Sequence, residues 1–141
     1  MKVEKILIAA VAGGVTLFVT GYIIYELIFA NASIGMEPAA VGVLNVKLDL
    51  SGIIVMELLF GLLLAVTLNW KGTNGFSSGL IPGGLIGVII GITINLYLLS
   101  TTDLINFNSV IYDGITFLIR FAIAGGVVAL VYGKAVKQAV E

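Results

Sequence analysis

Long apolar runs broken by short polar stretches make up most of the chain, at residues 6–30, 50–70, 76–100 and 107–132. Each exceeds the ~20 residues that a helix needs to cross a hydrocarbon core of about 30 Å, so each is predicted as a transmembrane helix. The first run has only Glu26 as a charged residue and reaches roughly 37 Å, enough to span with tilt. Ala30-Asn31-Ala32 resembles a signal-peptidase site, but the run before it is far longer than the apolar region of a signal peptide, and a retained span is expected. The pattern therefore predicts an all-α integral membrane four-helix bundle, with residues 1–141 forming a single four-helix transmembrane domain.

The connections differ in kind. Residues 31–49 form the longest, with Gly35, Pro38 and Gly42 as breakers, and are expected to be an ordered surface loop with a short interfacial segment over 41–48. Residues 71–75 form a tight turn that is expected to make the second and third helices antiparallel neighbours. Ser77-Ser78-Gly79 reads as cap chemistry, and Pro82 costs least if the third helix starts somewhat later than its apolar run. Residues 101–106 make a short polar turn, and the chain closes on a polar tail from Lys134.

Small residues follow their own pattern. Gly75, Gly79, Gly83, Gly87 and Gly91 recur every fourth residue in the third run, and Asn95 takes the next place. An interior Gly costs about 1 kcal/mol relative to Ala in a water-exposed helix. In lipid a bare strip instead lets a neighbouring helix approach closely. Gly79, Gly83, Gly87 and Gly91 are thus assigned to helix packing. A four-residue repeat winds by about 40° per step, which suits a right-handed crossing near −40°. Gly125, Ala129 and Gly133 offer a second such face, and Gly13, Gly14 and Gly21 a third. Three faces exceed what one bundle needs, so a homo-oligomer or a place in a larger membrane complex is expected. Shifting the chain by 70 residues lays Gly13, Gly14 and Gly21 on Gly83, Gly84 and Gly91 and Tyr25 on Asn95, a trace of a duplicated helical hairpin.

Composition narrows the classes. Hydrophobic residues make up 60% of the chain, charged residues 11%, and mean hydropathy is +1.17, far from the roughly one-quarter charged composition of soluble domains. There is no Cys and no His, which removes thiol chemistry and the commonest transition-metal ligand. A net charge of −1 with no basic run argues against nucleic acid as a partner. Lys2, Lys5, Lys71, Lys134 and Lys137 lie on one side of the four spans and Lys47 alone on the other. The positive-inside rule then places both termini in the cytoplasm and the protein, as a multi-pass chain, in the inner (cytoplasmic) membrane. Trp70 and Tyr132 on that side, and Tyr22, Tyr25, Tyr97 and Tyr112 on the other, are expected as interface anchors.

Ionisable groups at membrane depth are the chemical signal, because each costs several kcal/mol unless paired, neutralised or wetted. Glu57 lies 14 residues before Lys71 and Arg120 lies 14 before Lys134, so both sit roughly 21 Å up their helices and are candidates for a buried ion pair or gate. Glu26 and Asp113 each lie 21 residues from a lysine of the other side, near the outer interface, and Asn95 reaches a similar level. Glu26, Asn95 and Asp113 are therefore expected to form an outer polar vestibule. Three carboxylates against one guanidinium leave an excess of negative charge, which calls for protonation or a bound cation. With oxygen ligands alone, Na⁺, Mg²⁺ or Ca²⁺ would be favoured over zinc or copper. The same groups could instead serve only to fix which helices meet.

Gly21-Tyr22-Ile23-Ile24-Tyr25 followed by Phe29, the third helix opening on Gly79 and Gly83, and Tyr112-Asp113 leading into the small-residue end of the fourth resemble a group of small bacterial four-span membrane proteins grouped as a domain of unknown function. The resemblance implies a four-span fold and supplies no catalytic residues. No nucleophile with an adjacent base, no phosphate loop and no metal-ligand motif is present, so no enzyme, cofactor or resident metal is expected. The functional expectation is a small transport or channel-like module for protons or a small cation, against the alternative of a structural or accessory subunit.

Overall fold

The computed structural model describes residues 3–29 and 49–137. Helix α1 (Val3–Tyr22) runs on directly into a π-helical segment, Ile23–Phe29, and is followed by α2 (Leu50–Lys71), α3 (Phe76–Thr101) and α4 (Phe107–Lys137). All four are long and apolar enough to cross a membrane, with no strand among the described residues. Over the described residues the protein is an all-α membrane protein of four helices. The expected loop over 31–48, with its interfacial segment, and residues 138–141 lie outside the described residues; the tail expected from Lys134 is corrected, since 134–137 continue α4.

Local chemistry sets the helix ends. Asp49 caps α2, its carboxylate accepting from the backbone N–H of Ser51 at 3.1 Å and of Gly52 at 3.3 Å, and from the Ser51 hydroxyl. The Ser51 hydroxyl and then the Gly52 amide hold this carboxyl below its ordinary range. At the other end Gly72 takes the left-handed conformation, φ 72°, which glycine adopts without a Cβ penalty. Its N–H and that of Thr73 then reach the carbonyls of Asn69 and Leu68 at 3.0 and 3.2 Å. Ser78 Oγ accepts from the Gly75 N–H at 3.1 Å, the expected capping role. Because α3 starts at Phe76, Pro82 lies inside the helix rather than at its first turn. It has no N–H to offer the carbonyl of Ser78, which stands at the exposed end. Asn106 opens α4 by accepting from the Ser109 N–H at 3.0 Å.

Packing follows the small residues. Helix α3 lies along α4 and α1 along α2, and the two pairs are joined mainly where α1 meets α4. A methyl placed on Gly79 or Gly83 would fall on the backbone of Gly125 or Phe121, and one on Gly61 would fall on that of Ala10 and Gly14. The expectation that the tight turn makes the second and third helices close neighbours is corrected: α2 and α3 share little contact. Each commits its glycine face elsewhere, α2 through Gly61 to α1 and α3 through Gly79, Gly83, Gly87 and Gly91 to α4. The core between the pairs is built on Leu17, Leu64, Leu68, Phe121 and Val128, all fully buried. Leucine, isoleucine and valine cover the outside of the helices, as lipid contact requires.

Candidate functional site

Polar side chains collect at one end of the bundle, where the π-helical end of α1, the first half of α2 and the first half of α4 converge. Arg120 of α4 is at the centre, 3% exposed. Its Nη2 is ion-paired with Glu57 Oε1 of α2 and also donates to the Leu17 carbonyl of α1 at 2.8 Å. One guanidinium therefore ties three helices with charge-assisted bonds, the stronger kind of hydrogen bond. Its flat faces are used too: the Cζ atom lies 5.7 Å from the centre of the Tyr25 ring and 5.6 Å from that of Phe117. Gly21 makes this approach possible, because a Cβ there would sit 2.7 Å from Arg120 Nη2.

The pair is incompletely satisfied. Among the described residues, Glu57 Oε2 and Arg120 Nε are buried with no hydrogen-bond partner. Each such orphan costs on the order of 1–3 kcal/mol, so it signals either a price of packing or a group the site can bind.

Tyr25 links the next layer by donating to Asp113 Oδ1 at 3.0 Å. Beside it, Glu26 is exposed. In the π-helical turn that carries both residues, bonding runs from i to i+5, a geometry that recurs at functional sites.

A half-open cavity of about 380 Å³ lies among these elements. Its walls include Phe18, Gly21, Tyr22, Tyr25 and Glu26 from α1 and its extension, Met56 and Glu57 from α2, and Phe117 and Arg120 from α4. Beyond the ion pair the bundle is closed. Phe60, Phe117 and Phe121 form an aromatic cluster with ring centres 5.3 to 6.3 Å apart, and Leu17, Leu64 and Val128 pack behind it.

Of the five polar residues singled out in the sequence, Glu26, Glu57 and Arg120 line this cavity, and Asn95 and Asp113 do not. Of the three residues expected to form the outer vestibule, the cavity thus takes in Glu26. Asn95 is buried on the glycine strip of α3 and donates to the Gly91 carbonyl of its own helix at 2.9 Å. That strip faces α4, whereas the cavity lies where α1, α2 and α4 meet. Asp113 is one step removed, engaged through Tyr25. Among the described residues no three acidic groups come close enough to hold a metal ion.

Two tyrosines depart from the expected belt. Trp70, Tyr97, Tyr112 and Tyr22 are exposed, Trp70 by 79%, as anchors are. Tyr132 is instead in the core, donating to the Ala65 carbonyl at 2.6 Å, and Tyr25 is half-buried against Arg120. A signal for Tyr25 existed in the sequence. It continues the four-residue series Gly13, Leu17, Gly21 and occupies the place that Asn95 holds in the shifted repeat.

No protein-family model, curated protein or solved structure matches this chain.

Proposed function

We propose that the protein is a small membrane transport module for protons or a small cation, in which the Glu57–Arg120 pair latches the floor of a one-sided cavity. The observation that carries this reading is the placement of the pair: it is buried, it lines the cavity, and each member keeps one polar atom without a partner. A carboxylate in that position exchanges its guanidinium partner for a proton or a cation entering the cavity. The packed layer of Leu17, Phe121 and Val128 below it acts as the closed gate of a conformation open to one side. Alternating access needs such a one-sided state.

The lysine distribution supports orienting the module with both termini in the cytoplasm, in the inner membrane; the glycine faces are taken up by contacts within the protomer. Residues that carry the resemblance to the small four-span group, Gly21, Tyr22, Tyr25 and Asp113, meet at or next to the cavity.

A second reading, an accessory subunit whose polar groups only specify packing, is favoured by one observation. Asp113 and Asn95 are engaged in bonds within the bundle, to Tyr25 and Gly91, rather than facing the cavity.

Proton and cation flux into proteoliposomes separates the two. Wild-type flux is expected to be abolished by Glu57→Gln and reduced by Glu26→Gln, with Asp113→Asn intermediate. Well-folded wild type that passes neither protons, Na⁺ nor a small organic cation would leave the accessory reading.

A further inference from the structure

We infer that the cavity is a binding site for a monovalent organic cation with a flat, delocalised charge, of the guanidinium class, rather than for a bare metal ion. This rests on the transport reading and names the substrate that the same cavity takes.

Three observations converge. The first is size and lining. A volume of about 380 Å³ falls within the roughly 300–1,000 Å³ of small-molecule sites and far exceeds an ion. The walls are mostly aromatic and aliphatic, with Phe18, Tyr22, Met56 and Phe117 among them, and a bare ion there would lose its hydration without gaining ligands. The second is charge. Glu26 and Glu57 stand on the wall against Arg120 alone, so with all three ionised the cavity carries one negative charge in excess, in a medium of low dielectric.

The third is that the protein already shows what this wall accepts. Its own Arg120 guanidinium lies over Tyr25 and Phe117 at 5.7 and 5.6 Å and pairs with one oxygen of Glu57. The other oxygen, Oε2, is buried and unpartnered. An entering planar cation meets groups of the same kinds among the residues that line the cavity: Glu57 with its unpartnered oxygen, the ring of Tyr22 and the carboxylate of Glu26. Aromatic rings recognise such cations face-on, and the attraction strengthens when both partners are out of water. The bound cation competes with Arg120 for Glu57, which couples occupancy to opening of the three-helix latch.

The test is calorimetric titration of the full chain in phosphatidylcholine nanodiscs with phenylguanidinium and with its neutral isostere phenylurea, corrected for empty discs. Saturable binding of phenylguanidinium is expected, with phenylurea at least tenfold weaker. Glu57→Gln should erase that preference. Because this change strands Arg120 and could unfold the bundle, Glu26→Gln, on an exposed residue, provides the second variant; it should weaken the cation about threefold and leave phenylurea unchanged. Equal affinity for the two probes would overturn the inference and make the cavity an apolar slot of the kind an acyl chain fills. So would the absence of binding by folded wild type. Binding without any flux would retire the transport reading and keep the site; flux of protons or Na⁺ without phenylguanidinium binding would do the reverse.

Discussion

The seam between α3 and α4 and the junction of α1, α2 and α4 use the same device and end differently. Along α3, Gly79, Gly83, Gly87 and Gly91 each meet α4 backbone or the first atoms of Phe117 and Phe121, so two helices touch with no space between them. Along α1, Gly13 and Gly14 meet Gly61 and the Glu57 backbone in the same way, but two turns on Gly21 meets a guanidinium instead. From that point the junction widens into a cavity. A glycine admits whatever faces it: opposite backbone it makes a dry weld, and opposite a long charged side chain it makes room for chemistry. The polar groups of the α3–α4 side, such as Asn95, are consequently turned onto their own helix, whereas Glu57 and Arg120 are left with unpartnered atoms at a wall.

The largest effect is expected within the weld of α3 on α4. Gly83→Leu would drive a side chain into the Phe121 carbonyl, and separating the helices should cost more than about 5 kcal/mol, an exceptional value for one substitution. The chain has no native Cys, so a Gly84→Cys/Ala122→Cys pair can report on the seam, since a Cβ on Gly84 stands 3.4 Å from that of Ala122. This disulfide should form in the parent and fail in the Gly83→Leu background; its persistence would show that the seam tolerates bulk.

Next comes the junction. Glu57→Leu alone should lose about 3–5 kcal/mol because it strands a buried guanidinium, and adding Arg120→Leu should recover most of that. Denaturation of both variants from mixed micelles measures the coupling, and strictly additive losses would mean that the pair contributes nothing as a pair.

The smallest and most selective change is Gly21→Ala. Its methyl meets the end of a side chain rather than backbone, so a loss of roughly 1–3 kcal/mol is expected, the ordinary cost of overpacking. It should reduce flux more than stability, because it displaces Arg120 from Leu17 and Glu57. A variant with normal flux and lowered stability would place Gly21 with the welds instead.

Much of this architecture was legible along the chain, and particular residues show where legibility stopped. Hydropathy located four helices because a membrane demands ~20 apolar residues per crossing whatever their neighbours. Residue counting placed Glu57 and Arg120 at one depth because helical rise is constant. Asn95 shows the complementary limit: counting gives depth and leaves azimuth open, and Asn95 continues the strip of α3 that turns to α4. Tyr25 and Tyr132 were mistaken for anchors because a tyrosine at interface depth looks the same whether its hydroxyl meets headgroups or a buried acceptor.

What the sequence by itself determined is thus the set of helices, the small-residue faces of three of them and the depth of Glu57 and Arg120 along theirs, all properties of one helix in lipid. The tertiary structure alone decided that α3 packs on α4 rather than on α2, that Arg120 reaches Leu17 past Gly21, and that Glu26, Glu57 and Arg120 share one cavity. Those outcomes depend on how each helix is rotated about its own axis against its partners. That rotation is set by which two surfaces approach most closely, a property of pairs that no single run of residues contains.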